Sequence, residues 1–420
     1  MKKIIALLLV ALMLSTAVFA EDIILIAPNP NAAKTAELQV IGPEGQLLHV
    51  TPALGENATA LSVLQEALKE ANISCAVAES SYGGSYVSAI NGLGAGAYGG
   101  YEGWMYYVDG VSPLVGIGSY ELVGGEFIQV IYADFDLLVP VVEATRDHKG
   151  LVTLSVSADV TTYDENWNTT VTRQPVAGAK LTVDGAEYVT DAQGKAVLSA
   201  GDSAKAAVSV QAAKLTEVGL PALLPLHSGF TVDLAAAKTQ MPFSDLEEGK
   251  WYTPYALEMY DLGVINGLPG GLFGPTGTVT RAQVAKVLFE LGGGVPVNYL
   301  MTFTDVAETA WYAEAVRWCA AMGIAQGSEG KFSPDAPVTR QDLAVMLMRY
   351  QTNVVKADLP ATAEAPAFLD NEQIASYAAE AVYKLQKAGI VQGSEGKFSP
   401  TATATRGELC KMLSGLVVSD

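Results

Sequence analysis

Three arginines stand at the same point of a repeated phrase. "TRAQV", "TRQDL" and "TRGEL" place Arg281, Arg340 and Arg406 directly after Thr280, Thr339 and Thr405. The threonines read as helix N-caps. Thr280 with Gln283, Thr339 with Asp342 and Thr405 with Glu408 have the spacing of a capping box, most fully in the third case. Each arginine then falls in the first turn of a helix, where the macrodipole is positive and a cation is mildly disfavoured. Three such placements call for an anion nearby. One candidate is the aspartate of the same repeat, Asp245, Asp305 or Asp370. The other is an external carboxylate or phosphate, gripped by the guanidinium fork beside free helix N–H groups. Both can hold together, with the aspartate orienting the arginine.

The elements that must position these residues also recur. From Phe243 onward each of three units opens with an aromatic and, two residues later, an aspartate: "FSD", "FTD" and "FLD". A helix follows. In the middle copy Tyr312, Ala315, Val316 and Cys319 have the i, i+3, i+4, i+7 spacing of one buried face. Gly263, Gly323 and Gly389 stand where these helices should end. A turn comes next, and its wording "QGSEGKFSP" is identical at 326–334 and 392–400. The second helix then starts at the threonine and arginine. A two-helix unit of this size cannot bury both of its apolar faces alone, so neighbouring units must complete one another's cores. The expectation is an all-α pseudo-threefold bundle with three similar grooves.

At these residues the sequence resembles the S-layer homology domain family. The carriers are the opening F-x-D, the glycine motifs "GVING", "GIAQG" and "GIVQG" that end at Gly267, Gly327 and Gly393, the "KFSP" turn and the TR helix start. The resemblance implies non-covalent attachment to a bacterial cell wall, in which an anionic secondary wall polysaccharide, often carrying ketal pyruvate, is the partner. The pyruvyl carboxylate would be the anion that Arg281, Arg340 and Arg406 require. Asp245, Asp305, Asp370, Trp251, Trp311 and the three motif glycines complete the expected sites. Departures from the pattern predict unequal grooves: Gln283 stands where an acid is usual, the first turn is longer, and Ser376 replaces the tryptophan of the other two copies.

Bulk properties agree with an exported acidic protein. The chain has 420 residues, half of them hydrophobic, with 45 acidic and 25 basic side chains and a net charge of −20. That argues against nucleic acid or an anionic membrane as partner, since both are bound by basic patches. Lys2 and Lys3, the apolar run Ile4–Leu14 and small residues up to Ala20 read as an export signal, too short to span a bilayer. No later stretch reads as a membrane anchor. Cys75, Cys319 and Cys410 are too few and scattered for a disulfide framework or thiolate metal site. The expected division is a signal at 1–20, a small α+β domain at 21–138 with one helix on a mixed sheet, a β-sandwich spacer at 139–238, and the repeats at 239–420 (243–295, 303–352 and 368–416). The expected location is the wall or S-layer of a Gram-positive bacterium.

Within the first domain, "ATALSVLQEALKEANI" reads as a helix, and "GWMYYVDG" as a strand and turn after a glycine-rich loop. With "INGL" and "YELVGGEFI" these residues resemble the bacterial family related to the C-terminal domain of transcobalamin and intrinsic factor. That resemblance implies display of a small-molecule or protein ligand, a corrinoid among the candidates. Trp104, Tyr106 and Tyr107 could line such a site under the 94–103 loop, or could simply be core. The alternative is a structural or adhesive S-layer component without a small ligand. The middle segment resembles bacterial immunoglobulin-like and carboxypeptidase-regulatory-like domains, which implies a spacer. His49, His148 and His227 sit in no metal or nucleophile motif, and no loop fits phosphate binding. Neither an enzyme nor a resident cofactor is expected.

Overall fold

The structure, a computed structural model, describes residues 34–80, 84–165, 168–227 and 229–417. The expected export signal lies outside them. The chain forms two compact units. One takes the residues up to 144 with 153–198 and 205–235; the other takes 145–152, 199–204 and 236 onward.

In the first unit β1 (Glu37–Gly42) and β2 (Gly45–Val50) form a hairpin. Helix α1 (Ala60–Glu70) starts at Thr59, whose hydroxyl accepts from the Ser62 N–H while Ser62 Oγ accepts from the Thr59 N–H. Its apolar stripe of Val63, Leu64, Ala67 and Leu68 is buried. Strands β3 (Cys75–Glu79), β4 (Ser85–Ile90) and β5 (Leu93–Gly94) make a small antiparallel sheet. Strands β6 (Gly103–Val108) and β7 (Phe127–Ala133) complete a four-stranded sheet in the order β2–β1–β7–β6, with β1 and β7 parallel. Every residue of β7 is buried, as suits a central strand covered on both faces.

Further along come β8 (Pro140–Asp147), β9 (Val152–Tyr163) and β10 (Thr169–Pro175), then β11 (Lys180–Val183), β12 (Ala186–Val189) and β13 (Lys195–Val197). A single helical turn, α2 (Ala200–Ser203), precedes β14 (Ala207–Ala213), β15 (Thr231–Asp233) and β16 (Lys238–Gln240). β9 pairs with β10 and β13, and a second sheet runs β12–β11–β14–β15. Alternate residues Val152, Leu154, Val156 and Ala158 of β9 are buried, the two-residue period of a half-covered strand.

In the second unit β16 pairs in parallel with Thr145–Asp147 at the end of β8. The repeats supply α3 (Thr253–Asp261), α4 (Arg281–Leu291), α5 (Ala313–Ala321), α6 (Arg340–Tyr350), α7 (Ala379–Lys387) and α8 (Arg406–Val417). Here the expected all-α pseudo-threefold bundle does not form. The chain is mostly β with eight α-helices among its described residues, and no threefold helical bundle appears in the repeats. Their helices are short and pack in separate pairs: α4 on α5, α6 on α7, α8 on α3. The centre is extended chain. Val279 N–H donates to the Ala404 carbonyl, Ala404 to Val338 and Val338 back to Val279, closing a ring of backbone bonds. Local chemistry explains the difference. Each second helix begins at a threonine cap, whose residue must be extended, as Thr280 and Thr339 are. The residue before each cap therefore continues a strand-like path rather than a helix.

The glycine motifs serve the same packing. Gly327 and Gly393 adopt φ of +65° and +69°. A Cβ on either would collide with the carbonyl of Lys331 or Lys397 and with the ring of Phe303 or Phe368. On Gly267 it would strike Phe243.

Candidate functional site

The three arginines do not serve their own repeats. Arg281 Nε donates to the Phe332 carbonyl at 2.8 Å, Arg340 Nε to Phe398 at 2.8 Å and Arg406 Nε to Phe273 at 2.8 Å. Each guanidinium also lies over the ring of that same phenylalanine, at 4.9, 5.3 and 4.8 Å. Every arginine thus reaches from one repeat to the turn of the next, and the third reaches back to the first. The aspartates hold those turns from the other side. Asp245 accepts from the N–H groups of Phe273 and Gly274, Asp305 from Phe332 and Ser333, and Asp370 from Phe398 and Ser399, all at 2.6–2.9 Å. Burial alone would raise the pKa of Asp305 and Asp370, but the paired N–H donors outweigh it and hold both carboxyls below the usual range.

The helix N–H groups expected to be free are taken. Arg281 and Ala282 donate to Ala336 and Pro334, Arg340 and Gln341 to Ala402 and Pro400, and Arg406 and Gly407 to Gly277 and Pro275. The third N–H of each helix goes to its threonine cap. An anion at these positions can be held only by side chains.

The three arginines differ in access. Arg340 opens into a groove of about 550 Å3 that Gly393, Lys397, Glu408 and Lys411 also line, with Trp251 of the first repeat at its edge. Trp251 is 53% exposed, so its indole offers an open apolar face. Glu408 pairs with one end of the Arg340 guanidinium, and two lysines remain in excess. Arg281 lines a smaller groove of about 170 Å3 with Gly327, Asp342 and Arg349. Tyr377 narrows it by donating to Asp342 at 2.8 Å; burial and that bond push the phenol pKa up to about 12. Arg406 is only 7% exposed, and a second bond ties its Nη2 to the Asn266 carbonyl at 2.9 Å. Burial lowers the pKa of Arg281 and Arg406 from the ordinary value, against nearby Asp342 and Asp305 for the former, and Cys410 and Asp245 for the latter. Trp311 is exposed and lines neither groove. Lys397 and Lys411 were not singled out from the sequence, and Glu408 only as a partner in a helix cap. The signal available for two of them was the i, i+3 spacing of Glu408 and Lys411, which puts both on one helix face.

In the first unit Trp104 and Tyr106 line a cleft of about 240 Å3 with Ser85, Val87 and Ile117. Trp104 Nε1 donates to Leu93 O at 2.8 Å, and the Tyr106 hydroxyl to Val115 O. Tyr107 points to the opposite face of β6 and packs with Ile41, Ile131 and Leu137, as strand alternation requires. The 94–103 loop, expected to close over a ligand, is pinned by buried Glu102, which accepts from the N–H groups of Tyr98 and Gly100 and has its pKa lowered chiefly by the Tyr98 bond. Among the described residues no group of three His, Cys, Asp or Glu is placed to hold a metal ion, and no helix is long and apolar enough to cross a membrane.

Comparison with known proteins matches the S-layer homology domain to residues 242–285, 302–344 and 367–410, and a domain of unknown function (DUF4430) to 57–133. An endoglucanase of Bacillus sp. (strain KSM-635) is 28% identical over 46% of this chain and 21% of its own length. S-layer protein EA1 of Bacillus anthracis is 28% identical over 44% of this chain and 21% of its own. A cellulosome-anchoring protein of Acetivibrio thermocellus is 26% identical over 36% and 34%. The chain spans well under half the length of these relatives. A solved structure from Ruminococcus gnavus aligns over 24% of this chain at 13% identity with a TM-score of 0.19, too slight a likeness to bear on the fold. The C-terminal part of the chain carries three S-layer homology domains, and the protein is located at the bacterial cell-wall surface.

Proposed function

We propose that the S-layer homology domains anchor the protein by binding an acidic secondary wall polysaccharide, and that the Arg340 groove is the principal site. The observation that carries this reading is the gathering of Arg340, Lys397 and Lys411 beside the open face of Trp251, on a chain whose net charge is −20. Such a chain repels a polyanion except where cations converge, and screening beyond roughly 10 Å lets a local cluster prevail. A ketal carboxylate would displace Glu408 from one edge of the guanidinium, while the sugar ring would lie on Trp251. The Arg281 groove is a minor site, and Arg406 is a clasp between repeats rather than a ligand.

The test is co-sedimentation of the full chain with purified walls that carry a pyruvylated polysaccharide. Hydrogen bonds to charged groups contribute about 1.5–3 kcal/mol each, so Arg340→Ala should weaken sedimentation about tenfold or more. Walls stripped of pyruvyl groups should behave alike. Sedimentation indifferent to both changes would refute the reading.

We further propose that the N-terminal unit is the cargo of this anchor and that the protein itself is not an enzyme. The match to the endoglucanase runs through its S-layer homology region and so brings no catalytic residues with it. A corrinoid remains the ligand that the transcobalamin-like resemblance suggests. The Trp104–Tyr106 cleft is smaller than the roughly 300–1,000 Å3 usual for ligand sites, so it would meet one edge of a corrinoid rather than enclose it. Titration of the full chain with cobalamin, followed by absorbance, tests this; no spectral change at high micromolar ligand would remove it.

A further inference from the structure

The first unit holds a second, larger apolar cavity, lined by none of the residues named for the two sites above. Its volume is about 560 Å3, within the roughly 300–1,000 Å3 of small-molecule sites. The start of β7, the turn after β6, residues 224–227 and Phe230 supply its walls, Phe127, Val111 and Leu224 among them. His227 stands edge-on between two rings, 6.0 Å from Phe127 and 5.9 Å from Phe230. These surfaces suit a flat apolar body.

Three polar side chains interrupt the apolar wall: Asp109, whose Oδ1 already accepts from the Phe127 N–H at 2.9 Å, Gln129 and His227. Gln129, 1% exposed, spends its amide N–H groups on Gln39 Oε1 at 3.1 Å and on the Pro225 carbonyl at 2.8 Å. Among the described residues its own Oε1 accepts no hydrogen bond. That oxygen keeps contact with solvent, so a ligand N–H or O–H can take the place of water there. His227 accepts at Nδ1 from the Gly229 N–H at 3.1 Å, which leaves the ring proton on Nε2. The cavity wall thus combines a carbonyl oxygen that lacks a donor with an imidazole N–H.

We propose that this cavity binds a small aromatic molecule with a hydroxyl or N–H on its edge. The apolar body packs against Phe127, Leu224 and Phe230, and the edge group donates to Gln129 Oε1. This site is separate from the Trp104–Tyr106 cleft and independent of the wall anchor.

Equilibrium dialysis of the full chain against 2-naphthol and against naphthalene tests it. Naphthalene is the more hydrophobic probe and would win in a cavity that recognised only apolar surface. The expected result is saturable binding of 2-naphthol, about fivefold tighter than naphthalene, the increment of one buried hydrogen bond. Val111 is 65% exposed at the rim, so Val111→Trp should plug the cavity without disturbing the fold and weaken 2-naphthol at least tenfold. Gln129→Leu should erase the preference; if that variant does not fold, the comparison of the two probes on the unaltered chain still decides. Absent binding, equal affinities, or binding untouched by Val111→Trp would each overturn the proposal.

Discussion

Arg406 lies 4.8 Å over the ring of Phe273, 133 residues earlier in the chain, and donates to the carbonyl of that same residue. The contact closes a circuit. Arg281 binds the second repeat, Arg340 the third, and Arg406 returns to the first. Because each link spans two repeats, no repeat completes its own site, and truncating the third would open the first. The circuit also explains how arginine is tolerated in the first turn of three helices. Carbonyl oxygens and a phenylalanine face, rather than an acid of the same repeat, stabilise the charge.

On the proposed reading the same residue type has two separable duties. Arg406→Ala would leave the carbonyls of Phe273 and Asn266 without their donor in a buried setting. We expect a loss of about 2–4 kcal/mol in the unfolding free energy of the repeats. Arg340→Ala, at the mouth of an open groove, should cost less than half as much while removing wall binding. Denaturant unfolding followed by circular dichroism, set beside sedimentation, separates the two. Equal losses of stability would contradict the division of roles.

Gly393 is fixed by backbone conformation before any ligand arrives. Its φ of +69° is strained for residues with a Cβ, and the Lys397 carbonyl occupies the space that a Cβ needs. Gly393→Ala should destabilise the third repeat by at least about 2 kcal/mol. Gly330→Ala, also at positive φ but with open space around the added atom, should cost roughly 1 kcal/mol. A smaller loss at Gly393 than at Gly330 in thermal melts would show that steric packing is not what holds this position.

Local features were legible in the sequence because local chemistry determines them. Thr280 and Gln283 do form a reciprocal cap, and α1 lies within the stretch whose apolar spacing marked it. Partners in the next repeat were not legible. Nothing in "TRAQV" says that its arginine will meet Phe332, 51 positions on, because the second and third repeats carry the same turn and are equally good partners on paper. The all-α reading failed for a related reason. Helical periodicity announces the helices, whereas Val279, Val338 and Ala404 form their ring with one residue each, far too little to show a strand pattern. Lys397 carried a clue in the recurring "KFSP", and Trp251 reaches the Arg340 groove only because α3 packs on α8.

Thiol reactivity gives an independent reading of how the repeats are packed. Burial pushes the pKa of Cys319 and Cys410 up to about 12, so neither holds appreciable thiolate at pH 8. Cys75 is less deeply buried, and its pKa is also raised by burial. Ellman's reagent should therefore label at most one thiol slowly in the native protein and all three after denaturation. Rapid labelling of two or three in the native state would mean that the helix pairs open readily.

Acid should loosen the repeats by a definite route. The folded pKa values of Asp305 and Asp370 lie below the ordinary aspartate value, which is about 3.9. Such groups stabilise the folded state fully above the unfolded pKa, and the contribution disappears as pH falls through the lower folded value. Protonation would withdraw the acceptors from the N–H groups of Phe332, Ser333, Phe398 and Ser399. A competing effect exists, since acid also relieves self-repulsion in a chain of net charge −20. The variant Asp305→Asn separates them, because it keeps the bulk charge nearly unchanged while removing one titrating acceptor. We expect denaturant midpoints of the native chain to hold between pH 7 and about pH 5 and to fall steeply below about pH 4. The variant should start lower at neutral pH and lose less in acid. Parallel acid profiles for the two proteins would show that these carboxylates do not hold the turns.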